Sequence, residues 1–385
     1  MGTLKATYLQ QASSASPNIT LDASTNATVA GTLAMGSSFK RNRIINGDMR
    51  IDQRNNGAEV NPAVGGTYYV DRWLTTSTSA SKFKIGQNAG SVTPPAGFTN
   101  YLGATSLSAY TVATTDAFGI QQRIEGLNTS DLAWGTANAK TVTLSFWVYS
   151  SLTGTFAGSI RNSAQDRSYV FSYTINAANT WEYKTITVAG DITGTWLTTN
   201  GLGLSVYFSI GVGSNFSTTA GSWTAGNYLS PTGATSVVGT NGATFYITGV
   251  QLEVGSVATP YERQIYSQQL QECLRYYQIY RGATTGTDIA RMFTGYTYTG
   301  TQTEYPVIFP VQMRSAPTLS NSAVSSIVIV ANGTSYAISA LLIYQASTTA
   351  ALIYTANSSL TVGFGAGLGN AAASTTAFIA LNSEL

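Results

Sequence analysis

Sugars are held by flat aromatic faces that stack on their C–H surfaces, framed by amide, hydroxyl and carboxylate hydrogen bonds. Two sets of residues in this chain have those ingredients. Trp147 and Tyr149 in "TVTLSFWVYS", and Tyr207 in "LGLSVYFSI", alternate with apolar residues and share their side of the strand with Ser145, Ser205 and Ser209. Trp223, Asn227 and Tyr228 stand close together in the loop "SWTAGNY". Either set has a second reading, because aromatics on the outer face of a sheet also bury against a partner subunit.

Catalysis has less to work with. The chain contains no histidine, which removes the usual general base at neutral pH, the commonest metal ligand and any Ser–His–Asp or Cys–His device. Paired carboxylates remain a route to glycoside hydrolysis. Asp116, Glu125 and Asp131 are close in sequence, and Asp166 and Asp191 are candidates to meet in space. Nothing in their spacing ties any two together. With 17 acids against 19 Lys and Arg, most are expected to be solvated or ion-paired. No Walker loop or dinucleotide fingerprint occurs, and the glycine-rich "GFGAGLG" is followed by no helix, so strand or turn packing accounts for it. The expectation is binding without catalysis, metal or cofactor.

The elements that would position these residues are strands. Only 9% of the 385 residues are charged, against about 25% in ordinary soluble proteins. The surface must be wetted by Ser, Thr, Asn and Gln, and that mixture, with 38 Gly and 23 Tyr, favours strands and turns over helices. The net charge of +2 is spread thinly; Arg41 and Arg43 form the densest basic spot and read as a solvated linker, so no nucleic-acid footprint is present. A single cysteine, Cys273, excludes a disulfide framework and falls in an apolar helical stripe. The start "MGTLKATYLQQ" has no apolar segment, and no apolar run approaches the roughly 18 residues of a membrane helix. The chain is expected to fold in the cytosol where it is made, without entering a membrane.

Residues 1–40 are Ala/Ser/Thr-rich and too poor in apolar surface for a core of their own, so they are expected to be ordered by copies of themselves or by a larger assembly. Residues 41–263 read as a jelly-roll β-sandwich. Its first stretch, "INGDMRIDQRNNG", predicts a short strand between turns at Asn46-Gly47 and Asn56-Gly57. "TFYITGVQLEV" is its last strand, with Gly255 and Pro260 as the exit. Residues 264–282 predict a helix of about four turns ending at Gly282, with Leu270, Leu274 and Tyr277 on one side. That helix packs either on its own sandwich or against copies of itself round a symmetry axis. Residues 283–385 form a second β-unit, with a hairpin at Asn332-Gly333, edge strands where three prolines interrupt "PVIFPVQMRSAPTLS", and a final strand at 377–381.

"RNRIINGDMRIDQRNNG", "QQRIEGLNTSDLAWGTANAKTVTLSFWVYSSLTGTFAGSIRN", "GATFYITGVQLEVGSVATPYERQIYSQQLQECLRYYQ" and "FPVQMRSAPTLS" resemble tail fibre and related appendage proteins of tailed bacteriophages, over roughly residues 41–320. Residues 100–263 also resemble, more loosely, the carbohydrate-binding jelly rolls attached to glycoside hydrolases. The first resemblance implies a homotrimer assembled in the host cytoplasm, joined to other virion proteins through residues 1–40. It implies a distal part, taken as the C-terminal unit, that contacts a bacterial surface polysaccharide or outer-membrane protein. It also implies a three-fold neck at Leu270, Leu274 and Tyr277. The alternative functions are a purely structural virion protein, such as a capsid decoration or fibre connector, and a polysaccharide depolymerase.

Overall fold

A computed structural model describes residues 40–282, 289–357, 360–372 and 374–385, together with three N-terminal strands. Those strands, Tyr8–Leu9, Ile19–Leu21 and Ala27–Val29, form an antiparallel meander within a compact unit, Met1–Arg41. Residues Asn42–Leu385 form the other compact unit. The fold is all-β, and the large unit contains two β-sandwiches.

The first sandwich is of jelly-roll type. Its strands are β1 (Gly65–Val70), β2 (Trp73–Ser77), β3 (Phe83–Gln87), β4 (Leu102–Ser106), β5 (Ala117–Glu125), β6 (Val142–Ser150), β7 (Gly154–Asn162), β8 (Arg167–Ile175), β9 (Glu182–Val188), β10 (Leu202–Val212), β11 (Trp223–Ala225) and β12 (Thr244–Val254). One sheet has five strands in the order β9-β6-β12-β4-β3, and the other seven, β11-β8-β7-β10-β5-β2-β1. Alternation decides which side chains enter the core. Val142, Leu144, Phe146 and Val148 of β6 meet Leu204, Val206, Phe208 and Ile210 of β10 between the sheets, all at most 1% exposed.

Two expectations for this region change. The segment between Asn46 and Asn56 is not a strand. The Asn46 side chain accepts from the Ile51 N–H at 3.0 Å and donates to the Ile51 carbonyl at 2.8 Å, which ties the segment into a compact loop. Met49 and Ile51 still reach the interior.

The helix α1 spans Tyr266–Leu274 only. The following "YQIYR" is strand β13 (Tyr277–Arg281), paired with β22 (Phe378–Asn382), because its aromatic and β-branched residues suit a sheet and a partner strand is available. Gly282 therefore ends a strand rather than a helix. α1 packs on its own chain: Cys273 and Tyr276 are buried with Ile45 and Ile51, and Leu270 lies half-buried against them.

The second sandwich adds β14 (Arg291–Thr299), β15 (Gln302–Ile308), β16 (Thr318–Asn321), β17 (Ile327–Ala331), β18 (Thr334–Ala337), β19 (Ala340–Ala346), β20 (Ala350–Ala356) and β21 (Gly365–Asn370). Seven strands in the order β18-β17-β21-β14-β15-β20-β19 face a three-stranded sheet, β13-β22-β16, across a core that includes Tyr305, Ile329, Ile353, Leu368, Ile379 and Leu381. The Asn332-Gly333 turn joins β17 to β18, with Ala331 opposite Thr334. Pro306 sits in an interior strand, contrary to the edge position its missing N–H suggested. It is tolerated because β15 pairs with β14 only as far as Glu304, leaving that side of Pro306 open, while Leu352 of β20 lies opposite.

A buried ionic joint fastens the two sandwiches. Glu125 accepts from Arg275 at 2.6 and 2.9 Å and from the Tyr276 hydroxyl at 2.6 Å. Arg54 bridges Asp71 at 2.6 Å and Glu384 at 3.1 Å, and Arg72 also pairs with Glu384. The guanidinium groups of Arg54 and Arg72 lie 3.7 and 3.6 Å over the rings of Tyr277 and Tyr276. In a chain this poor in charge, clustering ions at one seam fixes its geometry, since stripping one partner leaves a buried charge uncompensated.

Candidate functional site

The outer face of the five-stranded sheet carries the aromatic residues of β6 and β9. Trp147 and Tyr183 are directly opposite in register, their ring centroids 5.4 Å apart, and Tyr183 is 43% exposed. On the other flank of β6, Thr248 of β12 faces Trp147, and a bulge follows before Gln251. Gly249 forms that bulge at φ +60°. A Cβ there would stand 2.6 Å from the Phe98 ring and 3.2 Å from the Trp147 indole, so only glycine lets both rings lie against the backbone.

The stretch after β12 supplies the far wall. Gly255 turns the chain, and the segment folds back over the hydroxyl-rich end of the same sheet face. There the Thr143 hydroxyl donates to the Gly255 carbonyl at 2.8 Å and the Thr187 hydroxyl to the Ser256 carbonyl at 3.1 Å. Glu253, 2% exposed, accepts from the Thr259 N–H at 2.8 Å, the Thr259 hydroxyl at 2.7 Å and the Gln251 amide at 2.9 Å. The Gln251 side-chain oxygen accepts in turn from the Glu262 N–H at 2.8 Å. These bonds hold Ala258–Arg263 upright beside the rings. Tyr261 meets Phe98 edge-on at 5.3 Å. The result is an open groove of about 610 Å³, with Trp147 and Tyr183 on its floor and Thr259, Pro260, Tyr261 and Arg263 along one side. Flat rings beside hydroxyl and guanidinium donors are what stacking on a pyranose requires.

The sequence-expected site residues separate. Tyr149 shares the face of Trp147, but it is stacked on Tyr246 at 5.3 Å and 6°, with Trp181 at 5.4 Å, and lies outside the groove lining. Tyr207 is fully buried on the opposite layer, on the outward side of the seven-stranded sheet, under a lid that brings Phe216 and Leu229 onto it. It does not neighbour Trp147, because β6 and β10 belong to different sheets and both turn their apolar sides inward. Burial raises its phenol pKa. The same lid takes Asn227, which accepts from Arg161 at 2.5 Å and donates to Gln165 at 3.0 Å. Tyr228 donates its backbone N–H to Ser168 at 3.0 Å. Trp223 packs with Trp134 and Trp196 at 5.3 and 5.4 Å and donates its indole N–H to the Ala189 carbonyl at 2.7 Å. These three residues hold the lid rather than frame a second groove.

The proposed neck also separates. Leu270 and Leu274 are half-buried on α1, while Tyr277 is buried in β13 beneath Arg54, so the three share no helix face.

The five carboxylates weighed for hydrolysis are all engaged. Asp116 accepts from Thr78, Tyr110 and the Ala113 N–H, and Glu125 belongs to the joint between sandwiches. Asp131 pairs with Arg43, and Asp166 accepts from Asn162. Asp191 takes the Arg167 fork at 2.7 and 2.8 Å; burial pushes its carboxyl up, but that fork and Thr193 hold it below the usual range. Among the described residues no three His, Cys, Asp or Glu gather as a metal site, and no helix is long and apolar enough to cross a membrane.

Sequence reasoning missed Tyr183, Phe98, Tyr261 and Arg263. The signal for Tyr183 was present: in "WEYKTITV" it alternates with Lys184 and shares a side with Thr185 and Thr187. The others come from loops, and their meeting depends on the bulge at Gly249.

No protein-family model matches the chain, and no curated protein matches it. Among solved structures, the enzymatically active domain of tailspike protein 4 of bacteriophage CBA120 is 13% identical, with 54% of this chain and 22% of that chain covered and a TM-score of 0.28. The chain thus spans 22% of that protein's length. A family 11 carbohydrate-binding module from Clostridium thermocellum, solved with a β-1,3-1,4-mixed-linked tetrasaccharide, is 16% identical over 51% of this chain and 100% of its own, with a TM-score of 0.25. A Bacteroides thetaiotaomicron protein described as sugar-binding is 13% identical over 56% and 100%, with a TM-score of 0.32.

Proposed function

We propose that this chain is a non-catalytic adhesin subunit that binds surface glycan in the groove floored by Trp147 and Tyr183. The observation that carries the reading is the pair itself: two registered rings on an open sheet face, one of them 43% exposed, beside a wall held by hydrogen bonds to the buried Glu253. A groove open to solvent suits a chain of sugars that enters from the side. Under the resemblance of its sequence to phage tail fibres, the protein is a virion appendage assembled in the host cytoplasm. Residues 1–40 join it to other virion proteins, and on this reading glycan contact lies in the first sandwich rather than in the C-terminal unit.

The appendage is a homotrimer whose copies meet at the second sandwich. Tyr296, Glu304, Tyr354 and Leu342 lie in one row across β14, β15, β20 and β19, on the side turned away from the core. Tyr296, Tyr298, Ile308, Leu342 and Tyr344 are 43, 56, 83, 47 and 61% exposed. With half-buried Leu352 and Tyr354 they present on the order of 600 Å² of apolar-rich surface, as large as monomers leave bare and near the ~800 Å² each partner gives a stable interface. Self-contact suits the patch, since its one buried acid, Glu304, is already held by the Tyr296 hydroxyl at 2.7 Å. The same patch favours the second reading, a structural virion protein whose aromatics serve assembly alone.

A glycan array probed with the wild type and with Trp147→Ala separates the two. Adhesion expects binding that the variant loses while its oligomeric state is kept. A wild type that binds no glycan leaves the structural reading.

A further inference from the structure

Within the groove just assigned, we propose that Arg263 selects acidic glycans, taking the carboxylate of a uronic acid or similar sugar while Trp147 and Tyr183 stack its ring; this rests on the groove being the glycan site. The lining has one charged group, and it is positive. Arg263 makes no hydrogen bond or ion pair among the described residues. Its guanidinium lies 4.6 Å over the Phe98 ring and 5.7 Å from that of Tyr261. Gly97, at φ +85°, makes room: a Cβ there would come within 3.0 Å of the guanidinium. The two rings thus hold the group in place while its N–H donors are unused among the described residues, the state in which a guanidinium grips a carboxylate through two parallel bonds.

The neighbouring acids do not answer that charge. Glu253 lies buried beneath Thr259 with its oxygens taken. Glu262 accepts from the Asn42 N–H at 2.8 Å. Lys184 is paired with Glu182 at 2.6 Å, so it adds no free positive charge. A neutral sugar would meet the rings and leave an open cation beside them; an acidic one satisfies both.

The test is titration calorimetry of the full chain with polygalacturonate, alginate, and the neutral polymers galactan and dextran, using wild type, Arg263→Gln, Arg263→Lys and Trp147→Ala. The expected result is a uronate polymer bound at least tenfold more tightly than any neutral one, weakening between 50 and 500 mM salt as an exposed ion pair should. Arg263→Gln should lose that tenfold preference and keep the residual neutral-sugar affinity, while Arg263→Lys keeps part of the preference without the fork. Trp147→Ala should weaken all binding. Equal affinity for neutral polymers, or a preference that survives Arg263→Gln, overturns the inference and leaves the groove assignment standing. Uronate binding that is indifferent to Trp147→Ala, or no binding to any polymer, overturns both.

Discussion

Two outward sheet faces of this molecule are built from the same residue types and have opposite fates. On the first sandwich, the face bearing Trp147 and Tyr183 is half covered by the chain itself: residues 255–263 fold over its hydroxyl end and leave a walled groove at its aromatic end. On the second, the face bearing Tyr296, Tyr298, Leu342 and Tyr344 has no strap among the described residues, and its rings stand open. Each face holds one buried carboxylate. Glu253 ties a loop to its sheet, whereas Glu304 ties only Tyr296 and Gln302 of the sheet it belongs to. An aromatic face with a wall can select a ligand by shape. One without a wall offers area alone, which suits a flat partner such as another copy.

The largest effect is expected where area is lost. Ile308→Asp with Tyr344→Asp should lower the self-association constant by more than about 100-fold, because charges placed in an apolar contact lose hydration without a partner. Light scattering with size exclusion should then report a monomer that is still folded by circular dichroism; a wild type already monomeric at micromolar concentration would break the comparison. Next comes Glu253→Ala, which strips two bonds from Thr259 and is expected to cost about 2–3 kcal/mol in urea unfolding, against about 1 kcal/mol for Glu304→Ala. Equal losses would mean that the wall is not held as described. Trp147→Ala is expected to weaken glycan binding by about 2 kcal/mol, roughly 30-fold, with the fold kept because the half-buried ring lies on the outer face of the sheet and not in the core between the sheets.

The last effect concerns the joint that keeps the two faces in fixed relation. Burial pushes the Asp71 carboxyl up to about 6, with Arg54 opposing. A folded value above the unfolded one, near 4, contributes stability that is full below about pH 4 and is lost as pH rises through 6. Asp71→Asn should flatten that part of the stability–pH curve. An unchanged slope between pH 4 and 6 would assign it to another group.

Strand content and inward faces were legible because alternation at period two is a local property. Val142 to Val148 and Leu204 to Ile210 sort correctly from the sequence alone. Which sheet a strand joins is not local, and that is why Tyr207 could be paired with Trp147 in sequence yet lie on the far layer beneath its own lid. The helix was overextended for a related reason: "LRYYQIYR" continues an apolar helical spacing, but its β-branched and aromatic residues find a partner strand more than 90 residues later, at Phe378–Asn382. Composition showed that little free charge would be available; only the fold shows that Arg263 makes no hydrogen bond or ion pair among the described residues, while Arg54, Arg72 and Arg275 are bound into the joint. The groove itself needed the bulge at Gly249, a backbone event no residue pattern announces.

The most direct measurement is a crystal structure of the full chain with an oligosaccharide taken from its best glycan ligand. A pyranose ring within about 4 Å of the Trp147 indole, between Tyr183 and Arg263, is the expected result. A sugar bound instead over the lid that covers Tyr207, or on the bare face around Tyr344, would contradict it.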